Sequence, residues 1–177
     1  MVIIPKIVDE ARRHFNCPEI RGVFLENEGT DATTGSHWES RIAATEFMIG
    51  GVVQNEVISI FSLLLLSATG FYKVDLSRAM PFHWGKDAGC NFYKDACYSK
   101  PLNTQFFCKK KNKKGCNHDK SGIGNCHSTE YSDGCKKINT IAEETCPNDQ
   151  KSAEYNFGTG ETFGEHSKCF DSKVMNK

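Results

Sequence analysis

The chain has 177 residues, enough to bury the core of one domain or slightly more, and its 22 basic and 22 acidic residues give a formal net charge of zero. No basic face emerges from this balance, so we expect no nucleic-acid partner. The long apolar runs lie within residues 1–98, whereas the remainder is rich in Lys, Asn, Ser, Gly and Cys. A helical first part and a less regular second part are therefore predicted.

The first predicted element is an amphipathic helix over residues 5–15, with Pro5 in its first turn. His14 falls in the last turn, where an imidazole interacts favourably with the helix dipole. Residues 19–36 contain three glycines and several acidic residues, which is typical of a loop or a short extended segment. The apolar face of the helix is expected to consist of Ile7, Val8, Ala11 and Phe15.

Further along the chain, a short helical turn is predicted over residues 38–44, followed by a sharp bend in which Gly50 and Gly51 supply the backbone freedom. The second helix is predicted over residues 54–69 and closed by Gly70. Its apolar run is shorter than the roughly twenty residues that a bilayer requires. We therefore expect a buried helix.

Cysteine spacing is the main signal in the second part of the chain. Six of the nine cysteines, from Cys97 to Cys146, follow one another at intervals of eight to eleven residues, and no C-x-x-C motif occurs. Zinc ribbons pair their ligands at closer spacing, so a disulfide framework is favoured over a metal cluster. Such a framework indicates an oxidising compartment. Spacing alone leaves the pairing open, because eight cysteines allow about 105 connectivities.

His37 directly follows a Gly-Ser pair, at a position where a loop gives way to regular structure. An imidazole there can point into a cleft, which suits a metal ligand. One histidine does not establish a metal site, however, since zinc needs three or four ligands and a local packing role is the simpler alternative. Met48, eleven residues later, would on its own be interpreted as core filling.

Several motifs together resemble the leishmanolysin family of zinc metallopeptidases, in the order and at the spacings of that family. They are Gly-Ser-His-Trp-Glu at 35–39, Glu-Phe-Met at 46–48, Thr-Gly-Phe-Tyr-Lys-Val-Asp at 69–75, and Trp-Gly with Ala-Gly-Cys within 84–90. Asn-Cys-Pro at 16–18, Leu-Glu-Asn-Glu-Gly at 25–29 and Ser-Lys-Cys-Phe at 167–170 extend the resemblance over essentially the whole chain.

The resemblance implies that His37 is the third zinc ligand of a metzincin and that Met48 is the methionine of the turn beneath the metal. The motif H-E-x-x-H, which supplies two histidines and the general base, does not occur among residues 1–177, so no catalytic residue is assigned. We therefore interpret the chain as the C-terminal part of the catalytic region of such an enzyme. Alone, it is expected to be inactive, although the complete enzyme would use Zn²⁺ to cleave protein and peptide substrates.

The family resemblance also implies a disulfide pairing. Carried over to this chain, the bridges are Cys17–Cys90, Cys97–Cys135, Cys108–Cys126 and Cys116–Cys169. Cys146 is the ninth cysteine, outside these four bridges, and the family partner of Cys146 would lie beyond Lys177.

The resulting fold prediction is α+β: residues 1–98 form the helical C-terminal part of a metzincin catalytic domain, and residues 99–177 form an incomplete cysteine-rich region of strands and loops. The resemblance implies an extracellular or cell-surface location, a link to cell adhesion, and membrane association through parts outside this chain. The alternative hypothesis is a non-catalytic, disulfide-rich module with an adhesive or inhibitory role.

Overall fold

The computed structural model of the protein describes residues 1–53, 55–98, 105–146, 164 and 166–170, with only the backbone for 141–144. The chain forms two compact units. The first unit comprises Met1–Thr104 and Ser128–Cys135, and the second comprises Gln105–His127 and Lys136–Lys177. The predicted boundary between residues 98 and 99 stays a prediction.

Helix α1 spans Pro5–Phe15, as predicted, with Pro5 in its first turn. It ends where Asn16 adopts a left-handed conformation, with φ of 53°, and its backbone N–H bonds back to the last turn. The predicted apolar face is confirmed, and His14 is buried along with it. The imidazole of His14 stacks on Phe82 with ring centroids 4.8 Å apart. This histidine therefore belongs to the aromatic core.

Helix α2 spans Ile60–Ala68, so the predicted start near residue 54 is wrong; Gln54 itself lies outside the described residues. The helix begins late because Val57 is engaged in a parallel bridge with Glu46. Ser59 then caps the helix, its side chain accepting a hydrogen bond from the Phe61 N–H.

The expectation that α2 is a buried helix is also wrong for most of its length. Only Phe61 and Ser62 are buried, whereas Leu66 is 37% exposed and Phe71, just beyond the helix, is 86% exposed. Across the described part of the chain, no helix is both long enough and apolar enough to cross a membrane.

A third helix, α3, spans Gly89–Lys94 and was not predicted. Its buried side chains, Phe92 and Tyr93, pack with Phe15 at ring-centroid distances of 6.0 and 5.0 Å. The disulfide between Cys17 and Cys90 ties this helix to the chain segment that follows α1. The ring of Phe61 in α2 also stacks on Phe15, so helices α1, α2 and α3 share one aromatic core.

The second unit contains a three-stranded antiparallel sheet in the order β1-β2-β3. The strands are Lys114–Cys116, Gly122–His127 and Lys137–Thr145. Gly124 pairs with Thr140, and a β-carbon there would overlap the backbone of Asn139. Cys116, Cys146 and Cys169 form a small buried cluster with Ile123 packed against it. Helices together with this sheet confirm the α+β class.

Four disulfides connect the described residues: Cys17–Cys90 and Cys97–Cys135 in the first unit, and Cys108–Cys126 and Cys116–Cys169 in the second. They are the pairs that the family resemblance implies. Cys146 lies buried outside these bridges.

Candidate metal-ligand site

His37 lies at the end of a loop whose two ends are joined by backbone hydrogen bonds. Residues 30–36 form successive turns, and Gly35 adopts φ of 76°, which favours glycine. The Glu26 N–H donates to the carbonyl of His37 at 2.8 Å, and the carbonyl of Glu26 accepts from the Gly35 N–H at 2.8 Å. An antiparallel bridge between Leu25 and Trp38 continues this pairing. The histidine backbone is therefore fixed on both sides.

The described hydrogen bonds of the half-buried His37 ring involve Nδ1. The Thr33 carbonyl lies 3.3 Å from Nδ1, and the Ser36 hydroxyl lies 2.8 Å from it. A carbonyl can only accept, so a bond to Thr33 requires the proton on Nδ1, and the Ser36 hydroxyl can then donate to the carbonyl of Ala32 at 2.9 Å. This tautomer leaves the Nε2 lone pair available. Metal-binding histidines are commonly oriented by such a bond at the second ring nitrogen.

Met48 lies on a turn that is hydrogen-bonded to the residue following the histidine. The Trp38 N–H donates to the carbonyl of Met48 at 2.8 Å, and Trp38 forms a parallel bridge with Ile49. The half-buried methionine is thus adjacent to the His37 segment through the backbone, although the two are eleven residues apart. Residues 37–38 and the methionine turn form one structural unit.

The chain bends at Gly50 and Gly51, as predicted, although neither residue has a positive φ. The absence of side chains here also leaves space for neighbouring groups. A β-carbon at Gly50 would lie 3.2 Å from the Thr33 Cγ2 methyl, and one at Gly51 would lie 3.6 Å from the ring of Tyr131.

A buried carboxylate, Glu46, supports the methionine turn from inside. Its Oε2 accepts from the Met48 N–H at 2.5 Å, and its Oε1 accepts from the N–H and hydroxyl of Ser59 at 3.1 and 2.9 Å. Glu46 is only 1% exposed. One side chain therefore joins the turn to the N-terminus of α2. Its position within the Glu-Phe-Met motif was the one sequence signal that could have indicated this role.

Two further buried acids flank the histidine segment. Glu26 accepts from the N–H groups of Asn27, Glu28 and Ser40, and its burial raises its pKa. Burial, with Asp133 and Glu26 nearby, raises the pKa of Glu39 to about 7.

The carboxylate of Glu39 accepts fewer hydrogen bonds than that of Glu26. Its Oε1 accepts from the Arg41 N–H at 3.2 Å, while its buried Oε2 has no hydrogen-bond partner among the described residues.

Arg41 balances this acidic group with a buried guanidinium. It donates to Asp133 Oδ2 at 2.7 Å, to the Phe92 carbonyl at 2.6 Å and to the Tyr93 carbonyl at 3.0 Å. Asp133 is 92 residues away in sequence, so no local pattern could have indicated this pair.

Within the described residues, no three or more His, Cys, Asp or Glu side chains are grouped as a metal centre requires. His14 bonds the carbonyl of Trp84 through Nε2, and His127 bonds the carbonyl of Asn125 through Nδ1. His83 is exposed. The structure places the His37 segment beside the methionine turn.

Comparison with known proteins identifies the class first. The chain is similar to metallopeptidases: the relatives include a leishmanolysin-like peptidase of Caenorhabditis briggsae, 42% identical over 97 residues, which covers 55% of this chain and 15% of the relative. A leishmanolysin homolog of Crithidia fasciculata is 36% identical over 72% of this chain and 20% of its own length. A ciliated left-right organizer metallopeptidase of Danio rerio is 32% identical over 96% of this chain and 28% of its own.

The family follows from a match that extends over most of the sequence. The family described as leishmanolysin matches residues 1–134, and the chain belongs to that family. It is a family of metallopeptidases, which implies a metal cofactor and protein substrates. The chain spans about 15% of the length of the first of these curated relatives.

Proposed function

We propose that this chain provides the third-ligand segment of a leishmanolysin-type zinc endopeptidase, with His37 as a zinc ligand through Nε2 and Met48 in the turn beneath the metal. The observation that carries the proposal is the His37 imidazole held at Nδ1, next to a methionine turn bonded to Trp38. Residues 1–98 belong to the catalytic region in this proposal, and 99–177 to a cysteine-rich region.

The residues present fit a zinc ligand in chemistry and orientation. Neutral imidazole is a common zinc ligand, and the bond from Nδ1 to the carbonyl of Thr33 selects the tautomer with an available Nε2. Residues 1–177 contain no H-E-x-x-H motif, so the remaining ligands and the general base have to come from outside this stretch of sequence. When bound, the zinc supplies a polarised water as nucleophile for a peptide carbonyl.

The residues around His37 contribute orientation to this chemistry. The backbone hydrogen bond between Glu26 and His37 fixes the position of the His37 backbone. The hydrogen bond from Trp38 to Met48 holds the methionine turn next to that segment. The thioether is apolar and polarisable, which suits packing against ligands without coordination.

The direct test is metal binding by a chain in which an H-E-x-x-H segment of a leishmanolysin-family relative precedes residues 1–177. We expect stoichiometric zinc, measured by elemental analysis, and chelator-sensitive cleavage of a peptide. His37→Ala should remove zinc and activity together, since two histidines alone do not complete a catalytic zinc site. His83→Ala is the matched control, because His83 is exposed and should leave both properties unchanged.

Residues 1–177 alone are expected to show no chelator-sensitive proteolysis and no zinc binding at sub-micromolar affinity. A single imidazole provides one ligand where tight zinc sites use at least three. Isothermal titration with zinc measures the affinity, and one equivalent bound tightly and lost in His37→Ala would contradict the proposal.

Met48→Leu should have only a small effect on stability and zinc retention in the complete enzyme, because a similar-volume apolar substitution usually costs less than about 1.5 kcal/mol. The comparison is with Met48→Lys, which places a positive charge under the metal and should abolish zinc retention by repulsion. Equal loss of zinc in both variants would show that the methionine is more than a packing element.

We further propose an extracellular or cell-surface location, which the four disulfides support because such bonds persist in oxidising compartments. The proposed partners are protein and peptide substrates, without nucleic acid, and membrane association would depend on parts outside residues 1–177. Secretion of the chain from a eukaryotic host with a heterologous leader, followed by disulfide mapping, tests whether it folds in that compartment.

A further inference from the structure

The segment Ser128–Cys135 belongs to the first unit, although it connects strands β2 and β3 of the second. We call it the bracing loop. The Cys97–Cys135 disulfide closes its C-terminal end, and the Cys97 N–H donates to the carbonyl of Asp133 at 2.8 Å. At its start, the hydroxyl of Ser132 donates to the carbonyl of Thr129 at 2.7 Å. These contacts hold the loop in one conformation.

Asp133 anchors the bracing loop to the acidic group around the histidine segment. Its carboxylate accepts from the buried Arg41 side chain at 2.7 Å, and the two side chains are 10% and 3% exposed. Its N–H donates to Oε2 of Glu28 at 2.8 Å. The hydroxyl of Tyr98 also bonds Glu28. The loop therefore meets residues 28–41 through one buried hydrogen bond, to Arg41, and one partly buried hydrogen bond, to Glu28.

Next to Asp133, the ring of Tyr131 occupies a slot lined by glycines. Gly29 has φ of 90°, and a β-carbon there would overlap both the Tyr131 ring and the hydroxyl of Thr33. A β-carbon at Gly51 would lie 3.6 Å from Cδ2 on the opposite edge of the ring, and one at Gly50 would lie 3.6 Å from Cε1, both ordinary packing distances. The ring therefore packs closely on Gly29 and makes ordinary contact with the Gly50–Gly51 segment.

The walls of this slot are the residues that support His37 and Met48. Gly29 precedes the turns that end at His37, and the Thr33 carbonyl lies 3.3 Å from Nδ1 of the histidine. Gly50 and Gly51 directly follow the methionine turn. The ring is therefore positioned to hold the histidine loop and the methionine turn at a fixed separation. The approach is closest at Gly29, where an added β-carbon would lie 2.4 Å from the ring.

We propose that Tyr131 is a positioning residue for His37 and the methionine turn, acting by packing its ring between Gly29 and the Gly50–Gly51 pair. This inference rests on the proposed function, in which His37 binds zinc. Close packing of a rigid ring transmits position, because a gap of even part of an ångström forfeits contact energy. Groups that orient metal ligands typically change metal affinity about 10- to 100-fold when removed.

The test measures which neutral tautomer the His37 imidazole adopts, in the disulfide-bonded chain of residues 1–177 without any metal. Long-range ¹H–¹⁵N correlation spectra distinguish the two neutral imidazole tautomers, and the parent is expected to show the Nδ1–H form alone. Tyr131→Ala and Tyr131→Leu should both give a mixture of tautomers, because neither side chain fills the flat slot. Tyr131→Phe keeps the ring carbons that contact the glycines and removes only the hydroxyl, which interacts with Thr33 and Glu130. If the ring does the positioning, this variant restores the parent spectrum.

Tyr72→Ala is the matched control, because Tyr72 is a 60% exposed tyrosine outside the bracing loop, and it should leave His37 unchanged. Fluorescence of Trp38 and Trp84 verifies that each variant is folded; if the alanine variant is not, the leucine and phenylalanine variants give the same comparison. A single Nδ1–H tautomer in the folded Ala or Leu variants would overturn the inference. So would a mixture in Tyr131→Phe as large as that in Tyr131→Leu.

A second arm separates this inference from the proposed function. In the zinc-binding chain with the H-E-x-x-H segment, Tyr131→Ala should weaken zinc binding by about 10-fold, the lower end of the range for orienting groups, with Tyr131→Phe near the parent. If His37→Ala leaves zinc affinity unchanged, the proposed function fails, while the tautomer comparison still decides whether Tyr131 positions the ring.

Discussion

Burial of His14 in an aromatic core makes the stability of the first unit depend on pH. Burial lowers the pKa of the His14 ring; the hydrogen bond from Nε2 to the Trp84 carbonyl, Glu10 and Asp87 partly oppose this effect, and Arg13 reinforces it. The unfolded chain, with an ordinary histidine pKa of about 6.5, then binds the proton more readily than the folded chain. Stability due to His14 is therefore complete above about pH 6.5 and falls as the pH is lowered through that value.

The variant His14→Phe keeps an aromatic ring and removes the titration. We expect the free energy of unfolding of the parent to fall more steeply between about pH 6.5 and pH 5 than that of the variant. Urea unfolding at several pH values, followed by tryptophan fluorescence, measures both slopes. Glu26 and Glu39, whose pKa values are raised, contribute the opposite slope in both proteins, so the difference isolates His14. Parallel slopes would contradict this account.

Arg41 is the residue whose loss should cost most outside the apolar core. In Arg41→Met, the Asp133 carboxylate and two backbone carbonyls lose their donor while remaining in a buried environment. Breaking a buried ion pair on one side costs about 3–5 kcal/mol. Urea unfolding measures this loss.

The comparison for Arg41→Met is Arg78→Met. Arg78 lies 3.8 Å from Asp75 with both side chains largely exposed, and such surface pairs contribute about 0–1 kcal/mol. If the two substitutions cost the same, the guanidinium of Arg41 is not the anchor described here. Replacing Asp133 by asparagine in the Arg41→Met background should recover part of the loss, because asparagine tolerates the φ of 49° at this position and removes the uncompensated carboxylate charge.

At the scale of elements, the N-terminus of α2 and the methionine turn depend on one carboxylate. Glu46→Gln replaces an acceptor oxygen with an amide that donates, so either the Met48 N–H or Ser59 loses its partner. An unsatisfied buried donor costs about 1–3 kcal/mol. Chemical denaturation gives this cost, and faster exchange of the Met48 or Ser59 amide proton shows which bond is lost.

Glu56→Gln provides the matched control, because Glu56 is exposed and its substitution should change stability by less than about 0.5 kcal/mol. Ser59→Ala should cost about 1 kcal/mol through loss of the helix cap and leave the Met48 amide protected. Loss of Met48 protection in Ser59→Ala would mean that the turn depends on the helix itself.

The helices show which element bounds can be predicted from sequence patterns alone. Helix α1 was predicted with its bounds, because a proline and a clear apolar face define it locally. The start of α2 was placed too early, because Val57 and Ile58 look helical in an apolar run while Val57 actually pairs with Glu46. Helix α3 has only six residues, too few for a periodic signal.

Some residues of the candidate site could likewise be predicted from the sequence, and others could not. His37 and Met48 were assigned from family motifs, and the structure places them in adjacent segments. That assignment stays a prediction until metal binding is measured. The support from Glu46, Arg41 and Asp133 depends on tertiary contacts, in one case across 92 residues, that no single-sequence pattern encodes. The bend predicted at the glycines after Met48 is present, whereas their contact with the Tyr131 ring depends on a residue far away in sequence that no local pattern indicates.

At the scale of the whole molecule, each disulfide is expected to stabilise the unit in which it lies. Cys17 and Cys90 are 73 residues apart, whereas Cys108 and Cys126 are 18 apart and lie in the second unit. In the chain-entropy account, closing these loops stabilises by about 4 and about 3 kcal/mol respectively, since the entropy removed from the unfolded chain grows with loop length. Both tryptophans, Trp38 and Trp84, belong to the first unit.

Replacing Cys17 and Cys90 together by serine should therefore lower the stability reported by tryptophan fluorescence by about 4 kcal/mol in urea. The double replacement of Cys108 and Cys126 is the matched control, and it should shift that fluorescence transition much less while loosening the sheet, as seen by amide exchange in β2. Because the first bridge ties α3 to the end of α1, its loss should also free Phe92 and Tyr93 from their packing on Phe15. A fluorescence transition that moves equally in both variants would mean that the chain unfolds as one cooperative body, and the assignment of each bridge to its own unit would then be wrong.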